Sequence, residues 1–143
     1  MTIGYVPGVW DMFHIGHLNI LRRAAQHCDQ LVAGVVSDDV VERVKGRPPV
    51  IPFDERFEIV ASIRHVDRVV LDAHVDKFDM WPDVGYHVLF KGDDWRNTEK
   101  GLRLEARLAE VGATVHYFPY TTHTSSTILR VALENLTERP ALG

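Results

Sequence analysis

The sequence predicts an α/β fold, a single doubly wound parallel sheet of about five strands with helices on both faces. Short runs of apolar and β-branched residues recur along the chain, and between them apolar residues return at helical spacing. The 143 residues hold no internal repeat, low-complexity tract or Ser/Gly-rich linker, so 1–143 reads as one domain.

The strand-like runs lie at 3–6, 31–36, 66–71, 87–90 and 114–118, each short enough for a buried strand. After the first, Ile15, Leu18, Leu21 and Ala25 share one helical face. A short helix opened by Asp38 follows the second run, and Phe53, Phe57 and Val60 line up before the third. Leu104, Leu108 and Val111 repeat the pattern ahead of the last run, with Gly112 placed to end that helix in a left-handed conformation. Leu129, Ala132, Leu133 and Leu136 form a final stripe, and the oxygens of Ser125, Ser126 and Thr127 offer N-caps. The tail from about Thr137 to Gly143 reads as loosely held. Such alternation implies right-handed crossovers and Rossmann-like layering, in which ligands bind beyond the C-terminal ends of the strands.

Bulk properties narrow the function. Hydrophobic residues at 45% and charged residues at 25% are ordinary globular usage. A formal net charge of −4 and a pI near 6.0 exclude an overall basic field for nucleic acid or anionic lipid, so any phosphate site is local. Cys28 stands alone and builds no disulfide framework. No apolar run nears the roughly 20 residues that span a bilayer, and the N-terminus lacks a signal-peptide pattern, so a cytoplasmic protein is expected.

The chemistry concentrates at strand–helix junctions. Gly8-Val9-Trp10-Asp11-Met12-Phe13-His14-Ile15-Gly16-His17 leads from the first strand into the first helix, where a doubly wound sheet places phosphates. His14 and His17, three apart, lie on one side of a helical turn, and Gly16 removes a side chain from the approach. Two N-capping histidines beside a turn glycine are the structural alternative. Their placement favours imidazoles that donate to phosphoryl oxygens as charge builds in a transition state. Lys45-Gly46-Arg47-Pro48-Pro49 is a basic turn able to cover a triphosphate or an acceptor phosphate, or simply a solvated loop. Gly92-Asp93-Asp94-Trp95 follows the fourth strand, where a carboxylate can accept from a base amino group and an indole can pack on a neighbour. Arg56 and Arg64 flank the helix before the third strand, and surface helix arginines are most often solvated.

These stretches resemble the cytidylyltransferase-like nucleotidyltransferase superfamily, whose signature is H-x-G-H after a strand-ending segment like G-[TV]-[FW]-D. The nearest likeness is to bacterial glycerol-3-phosphate cytidylyltransferases. Four separated stretches carry it in order: residues 8–17, 45–64, Lys91 with the G-D-D-W after it, and Ser125-Ser126-Thr127 opening the last helix. The resemblance implies that His14 and His17 contact the triphosphate and stabilise the pentacoordinate α-phosphorus with no covalent enzyme intermediate. It further implies Lys45 as a catalytic and acceptor-phosphate contact, and Lys77 as an acceptor contact. Gly8, Val9, Trp10, Asp11, Gly16, Arg64, Gly92, Asp93, Asp94, Trp95, Tyr120, Thr124, Ser125, Ser126 and Thr127 then surround the nucleotide. CTP is the expected donor and glycerol 3-phosphate the leading acceptor. Mg²⁺ is expected with the triphosphate, with no direct protein ligand assigned, and a homodimer is implied.

The chain departs from the family pattern in its last loop. Members usually read R-T-x-G-[IVT]-S-T-T there, whereas Tyr120 stands at the arginine and His123 at the glycine, and Val9 replaces a common threonine. Arg130, one turn into the last helix, is a candidate replacement cation. Three other functions compete. One is adenylyl transfer to a sugar phosphate, pantetheine phosphate or flavin mononucleotide. Another is a nucleotide-binding module without turnover. A metal hydrolase using the two histidines lacks further ligand spacing.

Overall fold

A computed structural model describes residues 1–120 and 123–138 of the chain. Strands β1 (Ile3–Gly8), β2 (Gln30–Val36), β3 (Arg68–Asp72), β4 (Val88–Gly92) and β5 (Thr114–Phe118) form one parallel sheet in the order β3-β2-β1-β4-β5. The helices are α1 (Ile15–Ala25), α2 (Asp38–Lys45), α3 (Phe53–Ala61), the single turn α4 (Trp81–Val84), α5 (Glu99–Ala109) and α6 (Ser126–Glu138). Short 3₁₀ turns occupy Lys77–Met80 and Asp93–Trp95.

The two-residue period of a strand sends neighbours to opposite faces, and the core divides accordingly. Val6, Leu31, Ala33, Val35 and Phe90 pack with Leu21 and Ala24 of α1 and Val60 of α3. Tyr5, Val32 and Leu89 pack on the other face with Val84 of α4 and Leu104 and Leu108 of α5. β2 is buried from Leu31 to Val36, as a strand covered on both faces requires. The edge strands β3 and β5 begin exposed.

From β1 the chain builds outward through β2 and β3, then returns to place β4 on β1's other side. The order reverses between β1 and β4, and the crevice beyond their C-terminal ends is where such sheets bind ligands. Both motif-bearing loops, after Gly8 and after Gly92, open there. Gly112 has φ 77° and closes the turn after α5 as expected. Helix α6 continues through Thr137 to Glu138, and residues 139–143 of the expected loose tail lie outside the described residues. No helix among the described residues is long and apolar enough to cross a membrane.

Candidate active site

The loop from β1 to α1 is strained and tightly held. Trp10 and Met12 take left-handed backbone angles, φ 59° and 49°, which cost a non-glycine residue roughly 1–2 kcal/mol each. Contacts from four other segments hold them there. The Trp10 indole donates to the Gly34 carbonyl at 2.8 Å. Asp11, 2% exposed, accepts the backbone N–H groups of Val50 and Ile51, both at 2.8 Å. Arg56 donates to the Val9 carbonyl at 2.6 Å, and the Ser126 hydroxyl donates to the Asp11 carbonyl at 2.7 Å. Gly8 carries no side chain because a Cβ there would come within 2.7 Å of the Trp10 ring.

Two expectations change here. The side chains of Trp10 and Asp11, expected at the nucleotide, are spent on the protein: one is a core residue and the other ties down the segment after α2. Only their backbone remains for a ligand. Arg56, expected to be solvated, is fully buried and also donates to the Ile51 carbonyl and to Asp38 at 2.6 Å.

His14 is the N-cap of α1. Its Nδ1 accepts the Gly16 N–H at 3.0 Å, and the His14 N–H donates to Nδ1 of His17 at 3.2 Å, a reciprocal capping box made of two imidazoles. Capping and catalysis therefore do not compete, because each ring spends one nitrogen on the helix and keeps the other. Burial lowers the pKa of His14 and, with His14 adjacent, pushes His17 down to about 3. A neutral ring whose Nδ1 accepts carries its proton on Nε2. The ring centroids are 3.9 Å apart, so two neutral N–H donors are held side by side.

A cleft of about 290 Å³ opens beyond the end of β1, lined by Val9, by Val36, and by Val40, Val41, Val44 and Lys45 of α2, and the Lys45 charge also helps to lower the pKa of His17. Lys77, Trp95 and the α5 residues Lys100 and Arg103 close its other sides. Burial lowers the pKa of Lys45, with Arg130 and Arg47 adding to the effect. Burial lowers Lys77 too, against the pull of Asp72. Lys91 sits with its ammonium 4.0 Å from the centre of the Trp95 ring. Burial brings it to about 8, with Asp94 opposing and Lys77, Lys100 and Lys45 reinforcing. These lysines feel one another, so they form one electrostatic group. Lys91 and Lys100 were not among the expected site residues, although Lys91 directly precedes the G-D-D-W stretch.

The other expected residues divide. Gly16, Gly92, Asp93, Asp94 and Trp95 lie at the ligand edge, and the Tyr120 hydroxyl donates to Asp94 Oδ1 at 3.1 Å while covering Gly92. Ser125 caps α6 by accepting the Ile128 N–H, and Ser126 ties that helix to the β1–α1 loop. Thr124 is half-buried and Thr127 exposed in the same segment, while 121–122 lie outside the described residues. Arg130 reaches the base of the loop, 3.6 Å from Asp11 Oδ2 and 9% exposed. Arg64 is not brought to the site. It is exposed in the turn before β3, next to Asp67, whose carboxylate accepts the N–H of Leu31 near the start of β2. That is the opposite edge of the sheet.

Residues 5–132 match the family described as cytidylyltransferase-like. An ethanolamine-phosphate cytidylyltransferase of Arabidopsis thaliana is 49% identical over 69 residues, 48% of this chain and 16% of that protein. An FAD synthase of Pyrococcus abyssi is 42% identical over 66 residues, 46% of this chain and 45% of that protein. The chain thus spans less than half the length of either relative. Among solved structures, a lipopolysaccharide core biosynthesis protein from Thermoplasma volcanium superimposes with a TM-score of 0.71 at 24% identity, over 87% of this chain and 99% of that one, a likeness of fold.

Proposed function

The chain belongs to the cytidylyltransferase-like family, and from that premise we propose that it transfers a cytidylyl group from CTP to a small phosphorylated alcohol, glycerol 3-phosphate foremost, and releases pyrophosphate. One arrangement carries the reading: two neutral Nε2–H donors fixed by a capping box beside a lysine-walled cleft. An oxygen of the acceptor phosphate attacks the α-phosphorus, and the bond from that phosphorus to the bridging oxygen breaks. Pyrophosphate leaves with the bridging oxygen and both electrons of that bond. The protein supplies position and charge. His14 and His17 donate to the phosphoryl oxygens as negative charge grows, and Lys45 and Lys77 hold the acceptor phosphate.

The cleft is at the small end of ligand pockets, which run from roughly 300 to 1,000 Å³. That size favours a compact acceptor over a flavin. Mg²⁺ belongs to the proposal as the companion of the triphosphate, whose charge it would neutralise. The residues present do not fit a protein-built cage: no group of three His, Cys, Asp or Glu among the described residues could hold a metal, and both Asp11 oxygens accept backbone N–H groups. A cytoplasmic homodimer completes the proposal, and light scattering on the purified protein decides its oligomeric part.

A second reading, adenylyl transfer, draws on the similarity to FAD synthase and on Tyr120 at the family's arginine position. One screen separates the two. Pyrophosphate release is measured with CTP, ATP, GTP and UTP against glycerol 3-phosphate, ethanolamine phosphate, sugar phosphates and flavin mononucleotide, with and without Mg²⁺. The expected result is turnover with CTP and a small alcohol phosphate. A faster rate with ATP overturns it, and tight triphosphate binding without release marks a module that has lost turnover.

A further inference from the structure

Lys77 opens the 3₁₀ turn Lys77–Met80, and the two ends of that turn are held differently. The far end is anchored in the core through Met80, 4% exposed. The near end has no apolar anchor, since Val75 is 52% exposed and Ala73 is exposed as well. Two hydrogen bonds reach it, from the His74 N–H to Asp72 at 3.0 Å and from the Tyr86 hydroxyl to the Lys77 carbonyl at 3.5 Å, the second long and weak. The firmest tie comes from α5. Arg107 donates to Asp76 Oδ2 at 2.7 Å, and the other Asp76 oxygen caps the turn by accepting the Phe78 N–H at 3.0 Å. The same guanidinium lies 4.2 Å from the centre of the Phe78 ring, within range of a cation–π contact. Arg107 therefore grips the residues on either side of Lys77.

An ion pair whose side chains are 37% and 34% exposed adds little to global stability, so its effect is local. A lysine is a compact charge on a flexible four-carbon stem, and where its ammonium points depends on how firmly its backbone is held. Arg107 also lines the cleft, but Asp76 already answers its charge. We propose that Arg107 is a positioning residue, a clamp across Asp76 and Phe78 that fixes the turn from which Lys77 meets the acceptor phosphate. The assignment deepens the transferase reading and rests on it for the ligand. The clamp itself does not depend on turnover.

Three readouts are taken separately: amide hydrogen exchange without ligand, pyrophosphate release, and calorimetric affinity for glycerol 3-phosphate and ethanolamine phosphate with the α,β-methylene analogue of CTP, which blocks transfer. In Arg107→Gln the amides of residues 76–80 are expected to exchange about tenfold faster while those of Val32 and Leu89 in the central strands are unchanged, the mark of a local opening. The acceptor phosphate binds about tenfold more weakly, equal to about 1.4 kcal/mol, and Arg107→Lys, which can still pair with Asp76, recovers most of that loss. The double variant decides the mechanism. With Lys77→Gln already in place, Arg107→Gln weakens binding by no more than about twofold, because the side chain it positions is gone. The full effect in that background makes Arg107 a direct ligand contact and overturns the proposal, as does unchanged exchange at 76–80. Faster exchange throughout the sheet overturns it too, since the arginine then supports the fold. If exchange and affinity follow the expected pattern but no triphosphate releases pyrophosphate, the transferase reading fails and the clamp stands. If release is normal and Arg107→Gln binds both acceptors like the wild type, the clamp fails and the transferase reading stands. A wild-type protein that binds neither acceptor overturns both.

Discussion

His14 and His17 each work through two nitrogens with different duties, and this changes how their roles are separated. His14→Ala removes the helix cap, worth about 1 kcal/mol, together with the Nε2 donor. His14→Asn keeps an acceptor at the place of Nδ1 and loses only the donor. Both variants are expected to lose kcat by about 10² to 10³, while only the alanine variant shows a lowered melting temperature. An asparagine variant with more than about a tenth of wild-type kcat, under about 1.4 kcal/mol, removes His14 from the transition state. Lys91 sets a second expectation. Its pKa is lowered to about 8, so it is a cation below that pH and neutral above it. Affinity for an anionic acceptor is therefore expected to fall as pH rises through 8, and Lys91→Gln to flatten that limb of a pH profile of kcat/KM. A profile with the same limb in the variant assigns the titration to another group.

At the scale of elements, α3 matters less for its exposed face than for the arginine it drives inward. Arg56 joins Val9, Ile51 and Asp38, so it braces the strained loop from behind. Removing Arg56 leaves the Val9 and Ile51 carbonyls without their donor, and a buried polar group left unsatisfied typically costs about 1–3 kcal/mol. Arg56→Met is expected to destabilise by that order in urea titration and to lower kcat through the loosened loop. Retention of full kcat at temperatures where the variant is folded separates bracing from positioning.

What the sequence makes legible is local. Strand and helix periods and the histidine turn depend on residues a few positions apart, and the structure follows them, as it does the left-handed Gly112. The hydrogen-bond partners of the Trp10 and Asp11 side chains lie 24 to 40 positions away, and nothing nearby encodes them. Arg56 did leave a signal, since it sits four residues before buried Val60 on the same helical stripe. Lys100 and Arg103 carry no local signal, because only the folded chain brings α5 and the segment around Lys77 to one cleft. Arg64 misled because a motif match places a residue in the chain without saying which edge of the sheet it reaches.

At the scale of the molecule, an acidic protein gathers its cations where strand order reverses, which confines attraction for anions to one crevice. The same reversal governs how the chain is assembled in time. β1, β2 and β3 are complete by Asp72, about midway along the chain, and build one flank, while β1 awaits β4 on its other side. Until residues 88–92 arrive, β1 is an unpaired edge rich in buried-type side chains, a template for the wrong partner. Parallel strands also close long loops before any pairing rewards them, so this interval is slow relative to helix formation. Pulse-labelled hydrogen exchange during refolding is expected to protect β2 amides before those of β5, with aggregation losses confined to that window and rising with protein concentration. Simultaneous protection of both strands would mean that the central strand is never left waiting.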